Sequence, residues 1–273
     1  YALTGSMAAE VFTFICGAAS SGKSTLLSAF TTMMGSYADT ASPDAFTHHR
    51  TVGGPTPELM RLAGKRFIHI PEAGGIRLDV ARVKQIVGGD PVVARLLHHN
   101  PVTFRPTCKL TFTANDLALV PDDDPGLRRR LLPLRVAAPV HHTDPNIKHE
   151  LEATVAGRAA LLAFAVRGAT AWLTDGADQP ALRAPAAVTT GVADYLAEMD
   201  PLADWWAERV TEHPDATALT STLHADYLAF TREHGPGRPI GLKSFAQRLT
   251  RRGHPVEDSR RHGSLRVGLR LTT

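Results

Sequence analysis

The residues best suited to chemistry lie near the start of the chain, between Gly17 and Ser24. They read Gly-Ala-Ala-Ser-Ser-Gly-Lys-Ser and satisfy every required position of the pattern GxxxxGK[ST]. An apolar, strand-like run from Val11 to Cys16 precedes them, and a helix-like stretch begins at Lys23. In this context the loop N–H groups and the helix N-terminus point at a phosphate, and glycine permits its close approach. The pattern therefore predicts a site for a nucleoside triphosphate.

Individual residues of this loop have expected parts in holding ATP and Mg²⁺. Lys23 is expected to reach the β and γ phosphates, and the Ser24 hydroxyl to bind Mg²⁺. Thr25 is expected to contact a further phosphate. The predicted ATP-binding residues are Gly17, Ala18, Ala19, Ser20, Ser21, Gly22, Lys23, Ser24 and Thr25.

Hydrolysis also needs groups that orient or deprotonate water, and two candidates follow strand-like runs. Glu72 follows residues 66–70 and is preceded by Pro71, so no acidic pair stands there. It is interpreted either as a surface glutamate in a turn or as an acid that activates water and holds Mg²⁺ through water. Asn115 follows residues 109–114. It is either a turn asparagine or a hydrogen-bonding partner of the γ-phosphate or the water.

Three consecutive arginines, Arg128, Arg129 and Arg130, precede an apolar run at 131–134. They are either a solvated basic cluster or the source of an arginine finger. Such a finger is a cation that stabilises the charge of the transition state in phosphoryl transfer.

The remaining sequence predicts an α/β core followed by helices and a basic end. Strand-like runs alternate with helices and long loops, which is typical of an α/β sheet. A β-hairpin is predicted within residues 91–107, around His98-His99-Asn100-Pro101. Two further strands are predicted within 255–271, and after an amphipathic helix they suggest a winged helix. The predicted helices are 80–87, 147–174, 192–213, 220–233 and 241–252.

Composition excludes several classes of protein. Hydrophobic residues make up 43% of the 273 residues, which excludes a mostly disordered chain. No run of apolar residues is long enough to span a membrane. The only cysteines, Cys16 and Cys108, are too few for a disulfide scaffold and are expected to be buried thiols in a reducing compartment.

The net charge of +3 is unevenly distributed along the chain. Residues 1–140 carry +4, residues 141–231 carry −8 and residues 232–273 carry +7. A basic end favours polyanions such as nucleic acid, although a solvated basic surface is the alternative.

Taken in order, these motifs resemble the superfamily 3 helicases, above all the helicase module of phage, plasmid and poxvirus primase-helicases. The likeness covers residues 1–140 and extends more weakly to the C-terminal segment GLKSFAQRLTRRG…LRVGL. Its segments within 1–140 are GAASSGKST, AGKRFIHIPEAG, RVKQIVGGDPVVARLLHHNPVTFRPTCKLTFTAND and GLRRRLLPL.

This resemblance implies an AAA+-like P-loop NTPase core with a parallel central sheet at residues 1–140. It also implies a helical linker region at 141–215 and a winged-helix-like domain at 216–273, which would bind DNA or dock a protein. Such modules assemble into rings, usually hexameric, around DNA, with ATP between neighbouring subunits.

Carried over residue by residue, the resemblance assigns the catalytic roles. Lys23 matches the phosphate-binding lysine, Glu72 the acid of the second strand and Asn115 the polar sensor. The finger falls among Arg128 to Arg130, and alignment on Asp124 and the apolar run favours Arg129, with Arg130 next.

The hairpin resembles the family segment that grips single-stranded DNA, although histidines stand where relatives often have lysine near the tip. A second set of candidate DNA contacts is basic and lies in the C-terminal helix. The candidate contacts are Lys84, Arg95, His98 and His99, followed by Lys243, Arg248, Arg251 and Arg252.

We therefore expect an ATP-dependent DNA helicase or translocase module of a mobile-element replication protein in the host cytoplasm. The chain is expected to be a fragment, joined in the longer protein to a primase or another N-terminal domain. Two alternatives stay open. One is an ATP-dependent nucleic-acid switch or loader without processive unwinding, and the other is a P-loop kinase acting on a small molecule.

Overall fold

A computed structural model shows the chain as two compact units, residues 1–196 and 197–273. The domain boundaries predicted at 140 and 215 stay a prediction, and position 140 lies outside the described residues. The structure describes residues 1–47, 56–76, 78–115, 124–136, 144–175, 200–234, 239–259 and 263–272, with isolated positions between 182 and 190.

The first unit is built on a five-stranded sheet in which every neighbouring pair of strands is parallel. The order across the sheet is β2-β3-β6-β1-β7. Runs such as Lys109–Ala114 are buried along their whole length, as expected for parallel strands covered on both faces. The predicted α/β class with a parallel sheet is therefore confirmed. The strands are β1 (Phe12–Gly17), β2 (Ala38–Thr40), β3 (Phe67–Ile70), β6 (Lys109–Ala114) and β7 (Leu131–Val136).

Two apolar layers cover the sheet. On one face the rings of Phe12, Phe14 and Phe46 lie within 5.4 to 6.1 Å of the Phe112 ring, measured between centroids. The other face packs against the helix that follows the Gly17–Ser24 loop, and a cavity of about 680 Å³ remains there.

The first unit also contains helices and a β-hairpin. The predicted helix at 80–87 is confirmed, and so is the hairpin, whose short strands β4 (Val92–Ala94) and β5 (Val102–Phe104) pair antiparallel. Short 3₁₀ turns occupy Gly35–Tyr37 and Pro43–Phe46. The helices are α1 (Lys23–Met34), α2 (Pro57–Met60), α3 (Val80–Val87), α4 (Pro125–Arg128), α5 (Ile147–Ala153) and α6 (Val155–Asp175).

In the part of it that the structure describes, the second unit combines three helices with an antiparallel sheet of order β8-β10-β9. Its core includes Trp205, Leu223, Phe245 and Leu249, all fully buried. The helices predicted at 220–233 and 241–252 and the two strands at 255–271 are confirmed. The elements are α7 (Ala203–Arg209), β8 (Val210–Leu219), α8 (Thr220–His234), α9 (Leu242–Arg251), β9 (Val256–Ser259) and β10 (Gly263–Leu271).

The prediction that a helix continues to residue 213 was wrong. The helix ends at Arg209, and the chain continues as strand β8, in which Val210 pairs with Leu271 and Thr211 with Arg270. Branching at Cβ favours the extended conformation at both positions, and Pro214 cannot sit inside a helix. Hydrogen bonding to β10 therefore decides the conformation after Arg209, although the spacing of apolar residues there favours a helix. Most of the predicted segment before 200 lies outside the described residues.

Both cysteines are free and buried, as predicted. Burial raises the pKa of the Cys108 thiol to about 12, so this group stays protonated near neutral pH. Within the described ranges, no helix combines the length and hydropathy that a membrane span requires.

Candidate nucleotide and nucleic-acid site

Three adjacent parallel strands bring Lys23, Glu72 and Asn115 of the predicted catalytic groups to one edge of the sheet. Strand β6 lies between β3 and β1, and Cys16 is paired with Ala114 at their carboxyl ends. The Gly17–Ser24 loop follows β1, Asn115 follows β6, and Glu72 comes two residues after β3. The carboxyl edge of a parallel sheet is where ligands of α/β proteins bind.

The Gly17–Ser24 loop makes a tight connection between β1 and α1. Gly17, Ser20 and Gly22 have φ values of 152°, 60° and 84°, in the region that L-residues with a side chain rarely adopt. A Cβ atom built on Gly17 would lie 2.4 Å from the carbonyl oxygen of Val136 in the neighbouring strand β7. The glycine at position 17 is thus required both by conformation and by space.

Lys23 turns back into this loop. Its buried Nζ donates to the carbonyl oxygens of Gly17 and Ala18 at 2.7 and 2.8 Å and to Ser21 Oγ at 3.0 Å. It also lies 3.4 Å from Asn115 Oδ1. The structure therefore places the predicted sensor beside the predicted phosphate-binding lysine, although 92 residues separate them in sequence.

Helix α1 adds a favourable field at the same place. It is 12 residues long and has no acidic residue in its first turn, so its partial positive charge is not offset there. Ala18, Ala19, Ser20 and Ser24 are exposed at this end. A buried ammonium, an unopposed helix N-terminus and an open loop together favour an anion with phosphate character.

Glu72 is held in the turn after β3. It is exposed, and its φ of 53° lies in the left-handed region. The next residue, Ala73, donates its N–H to the carbonyl oxygen of Thr113 at 2.9 Å, which ties this turn to the end of β6. The carboxylate is therefore carried by a backbone anchored near Asn115.

A buried hydrogen bond joins the two strands that carry Glu72 and Asn115. His69 Nε2 lies 2.8 Å from Thr113 Oγ1. Burial lowers the pKa of His69, which favours the neutral imidazole. Sequence inspection gave His69 no role, because its partner is 44 residues away and no local pattern marks the pair.

The arginine cluster lies at the opposite end of the strands, where β1 and β7 begin. Phe12 pairs with Leu131 and Gly17 with Val136, so Arg128 to Arg130 adjoin the beginning of β1 and the loop follows its end. The six residues of β1 are separated by five steps of ~3.3 Å, so the strand spans about 17 Å. That distance is longer than an arginine side chain, so the cluster does not reach the loop of the same chain.

The two favoured arginines differ in exposure. The Arg129 side chain is 68% exposed, whereas that of Arg130 is 12% exposed. Arg130 donates to the carbonyl oxygen of Gly126 at 2.9 Å and pairs with the Glu10 carboxylate. Of these two, Arg129 is the side chain presented to solvent.

The hairpin presents a largely uncharged tip. No Lys or Arg stands between Arg95 and Arg105, and His98 and His99 are exposed. Four large apolar side chains near the tip are exposed as well. They are Val93, Leu96, Leu97 and Val102.

Lys84, predicted as a DNA contact, lies on α3 rather than on the hairpin. Its Nζ forms an ion pair with Asp124 at 3.1 Å. The Asp124 carboxylate also accepts from the Leu127 N–H at 2.9 Å and so caps α4, the helix that ends at Arg128. Lys84 therefore stabilises the start of the arginine segment, and its role as a DNA contact stays a prediction.

The basic residues in and just after α9 also differ from one another. Arg252 pairs with Asp200 and lies over the Trp206 ring at 4.4 Å, and Arg248 lies 3.8 Å from the same carboxylate. Lys243 and Arg251 are exposed. Sequence inspection could not separate these residues, because Asp200 is about 50 positions away.

Comparison with known proteins gives partial matches. Residues 15–130, fewer than half of the chain, match a family of unknown function, DUF5906. A curated protein of Acanthamoeba polyphaga mimivirus, named "Putative helicase", is 28% identical over 131 residues. That stretch covers 47% of this chain and only 14% of the viral protein.

Solved structures of the NrS-1 C-terminal region are also similar to part of the chain. One apo structure has a TM-score of 0.43 at 16% identity and covers 55% of this chain and 36% of that chain. A second apo structure, of residues 305–718, has a TM-score of 0.42 at 16% identity, with coverages of 55% and 35%. Similarity at this level does not establish a common fold.

Proposed function

We propose that the chain is an ATP-dependent DNA helicase or translocase module of the superfamily 3 type. The observation that carries the proposal is the meeting of Lys23 Nζ and Asn115 Oδ1 at 3.4 Å, under a loop that matches GxxxxGK[ST]. The relationship to a viral protein named as a helicase supports the same class.

In the proposed reaction the chain supplies charge and orientation for phosphoryl transfer. Lys23 neutralises the β and γ phosphates of ATP, Asn115 orients water, and Glu72 accepts its proton. The residues also fit Mg²⁺, since the Ser24 hydroxyl and the Glu72 carboxylate supply exposed oxygen ligands, the latter through water. Mg²⁺ would neutralise phosphate charge at this site.

The arginine finger comes from a neighbouring subunit in this proposal. Arg129 is exposed at the edge of the sheet opposite its own Gly17–Ser24 loop, so it can complete only the site of another copy. A closed ring, usually a hexamer, satisfies this requirement for every subunit. The hairpin would contact single-stranded DNA in the central channel of this ring. A primase or another domain of a longer protein would be joined to the chain.

The shared site predicts complementation between two inactive variants. Lys23→Ala and Arg129→Ala should each lower the ATPase rate measured with single-stranded DNA by at least about 100-fold, because each removes a cation that stabilises transition-state charge. Mixed rings contain some sites with both an intact lysine and an intact finger, so the mixture should recover part of the activity.

Arg61→Ala is the matched control, since Arg61 is an exposed arginine of the same unit that pairs with Asp39. It should keep the wild-type rate. No recovery in rings shown by sizing to contain both variants would reject the shared site. Stimulated ATPase activity without unwinding of a fork would identify a switch or loader instead.

A further inference from the structure

Glu10 is an acidic residue that contacts two of the three arginines of the cluster. One carboxylate oxygen, Oε2, pairs closely with Arg130 and lies 3.6 Å from Arg129 Nη2. About 120 residues separate the partners in sequence. Glu10 stands just before β1, the strand that ends at Gly17.

The backbone around Glu10 is also unusual. Its φ of 48° lies in the left-handed region, which a glutamate adopts only at a cost. Its N–H donates to the carbonyl oxygen of Met7 at 3.0 Å, so a turn holds this conformation. The turn sends the Glu10 carboxylate to the arginines rather than along the strand.

Arg130 is fixed at its side chain and at its backbone. The guanidinium is held by Glu10 and by the Gly126 carbonyl oxygen. The Arg130 carbonyl oxygen accepts from the Phe12 N–H at 2.8 Å, the first link between this segment and β1. The backbone and side chain of Arg130 are therefore both restrained, and Arg129 is the residue directly before it.

The ion pairs of Glu10 with Arg129 and with Arg130 differ in how much they contribute to stability. The contact with Arg129 is long and solvent-exposed, and such pairs contribute little. The contact with Arg130 involves a side chain that is 12% exposed, where an unpaired cation would be costly. Glu10 therefore fixes Arg130 firmly and leaves Arg129 able to move outward.

We infer that Glu10 is a positioning residue for the arginine finger: by anchoring Arg130 it directs Arg129 toward the nucleotide of the neighbouring subunit. The inference rests on the proposed function. Glu10 itself does not touch the nucleotide. Glu10 precedes β1. Its ion pair with Arg130 therefore also links the finger of each subunit to the strand that leads into that subunit's own Gly17–Ser24 loop.

The inference places Glu10→Gln in the same complementation group as Arg129→Ala. The variant should lower kcat for ATP roughly 10- to 100-fold, as expected for a misplaced catalytic group, with KM little changed because the loop is intact. Mixed with Lys23→Ala it should recover activity, since that partner supplies a correctly placed finger. Mixed with Arg129→Ala it should not recover activity, because neither variant has a correctly placed finger.

A purely structural role for Glu10 would not give this pattern. Asp39→Asn is the matched control, because it removes another acid–arginine pair of the same unit, with Arg61, away from the cluster. It should retain wild-type kcat. Arg130→Lys tests the anchor from the other side and should fall in the finger group, which keeps the inference testable if Glu10→Gln unfolds.

Full activity of Glu10→Gln, recovery with Arg129→Ala, or recovery with neither partner would overturn the inference while leaving the shared site intact. Failure of the Lys23→Ala and Arg129→Ala pair to recover would overturn the proposed function and this inference together.

Discussion

Gly17 shows how one residue can control the Gly17–Ser24 loop. Gly17→Ala would place a methyl carbon 2.4 Å from the Val136 carbonyl oxygen at a φ of +152°. The loop or strand β7 must then shift, and overpacking of this kind costs about 1–3 kcal/mol. We expect a lower urea midpoint of unfolding and weaker binding of a fluorescent ATP analogue.

Gly168→Ala is the comparison for this change. A Cβ on Gly168 meets nothing within 4 Å, and alanine favours the helix there. It should leave nucleotide binding unchanged and not lower stability. Equal behaviour of the two variants would show that the contact with Val136 does not limit the loop.

At the scale of elements, the pair of His69 and Thr113 links the strands that carry Glu72 and Asn115. Burial lowers the pKa of folded His69 below its usual value of 6.5. The unfolded chain therefore takes up this proton first as the pH falls. The stability contributed by neutral His69 is complete above about pH 6.5 and is lost as the pH falls toward the folded pKa.

We predict that His69→Gln makes the free energy of unfolding less dependent on pH between about 7.5 and 5.5, because the variant has no titrating ring at this position. Urea titrations at several pH values measure the slope. His149→Gln changes an exposed histidine of the same unit and should leave the slope nearly unchanged. An unaltered slope in His69→Gln would mean that His69 titrates alike in the folded and unfolded chain.

The second unit depends on a buried arginine at the junction of its elements. Arg266 on β10 is 1% exposed. Its guanidinium donates to the hydroxyl oxygens of Thr220 and Thr250 and to the carbonyl oxygens of Ala246 and His254, at 2.7 to 3.1 Å. These bonds join the strand to both α8 and α9.

Arg266→Met should lower the free energy of unfolding by about 2–3 kcal/mol, because several acceptors lose their donor. Urea unfolding followed by tryptophan fluorescence suits this test, since Trp205 is fully buried in the same unit. Arg270→Met on the exposed side of β10 is the control and should be nearly neutral. A more stable Arg266→Met protein would show that the cost of burying the cation exceeds its hydrogen bonds.

For the whole molecule, the distribution of charge separates two contributions to nucleic-acid binding. The hairpin tip has no Lys or Arg, whereas residues 232–273 carry +7. Under the proposed function, most of the salt dependence of DNA affinity should therefore arise from the basic C-terminal segment.

Lys243→Gln should reduce the slope of log affinity against log salt by about 1, the value for one lost phosphate contact. Fluorescence anisotropy with single-stranded DNA at several salt concentrations measures it. Lys148→Gln removes an exposed lysine from the acidic middle segment and should leave the slope unchanged. Equal slopes for wild type and Lys243→Gln would exclude Lys243 as a phosphate contact.

Local patterns were sufficient for the elements that carry the candidate site. The GxxxxGK[ST] pattern, the buried strand-like runs and the spacing of apolar residues depend on neighbours in sequence, so they predicted the loop, the strands β1, β3 and β6, and the helix at 80–87. The same reasoning failed at residues 210–213, where pairing with β10 decided the conformation. The residues that pair with 210–212 lie 57 to 61 positions further along the chain, and no local pattern records this pairing.

The sequence by itself thus predicted which residues could bind phosphate and that the strands of an α/β sheet would carry them. Only the tertiary structure decided that Asn115 meets Lys23, that His69 joins two strands, and that Arg129 is exposed while Glu10 holds Arg130. The physical reason is that these contacts follow from strand order and register. They are set by packing over the whole sheet rather than by residues adjacent in the chain.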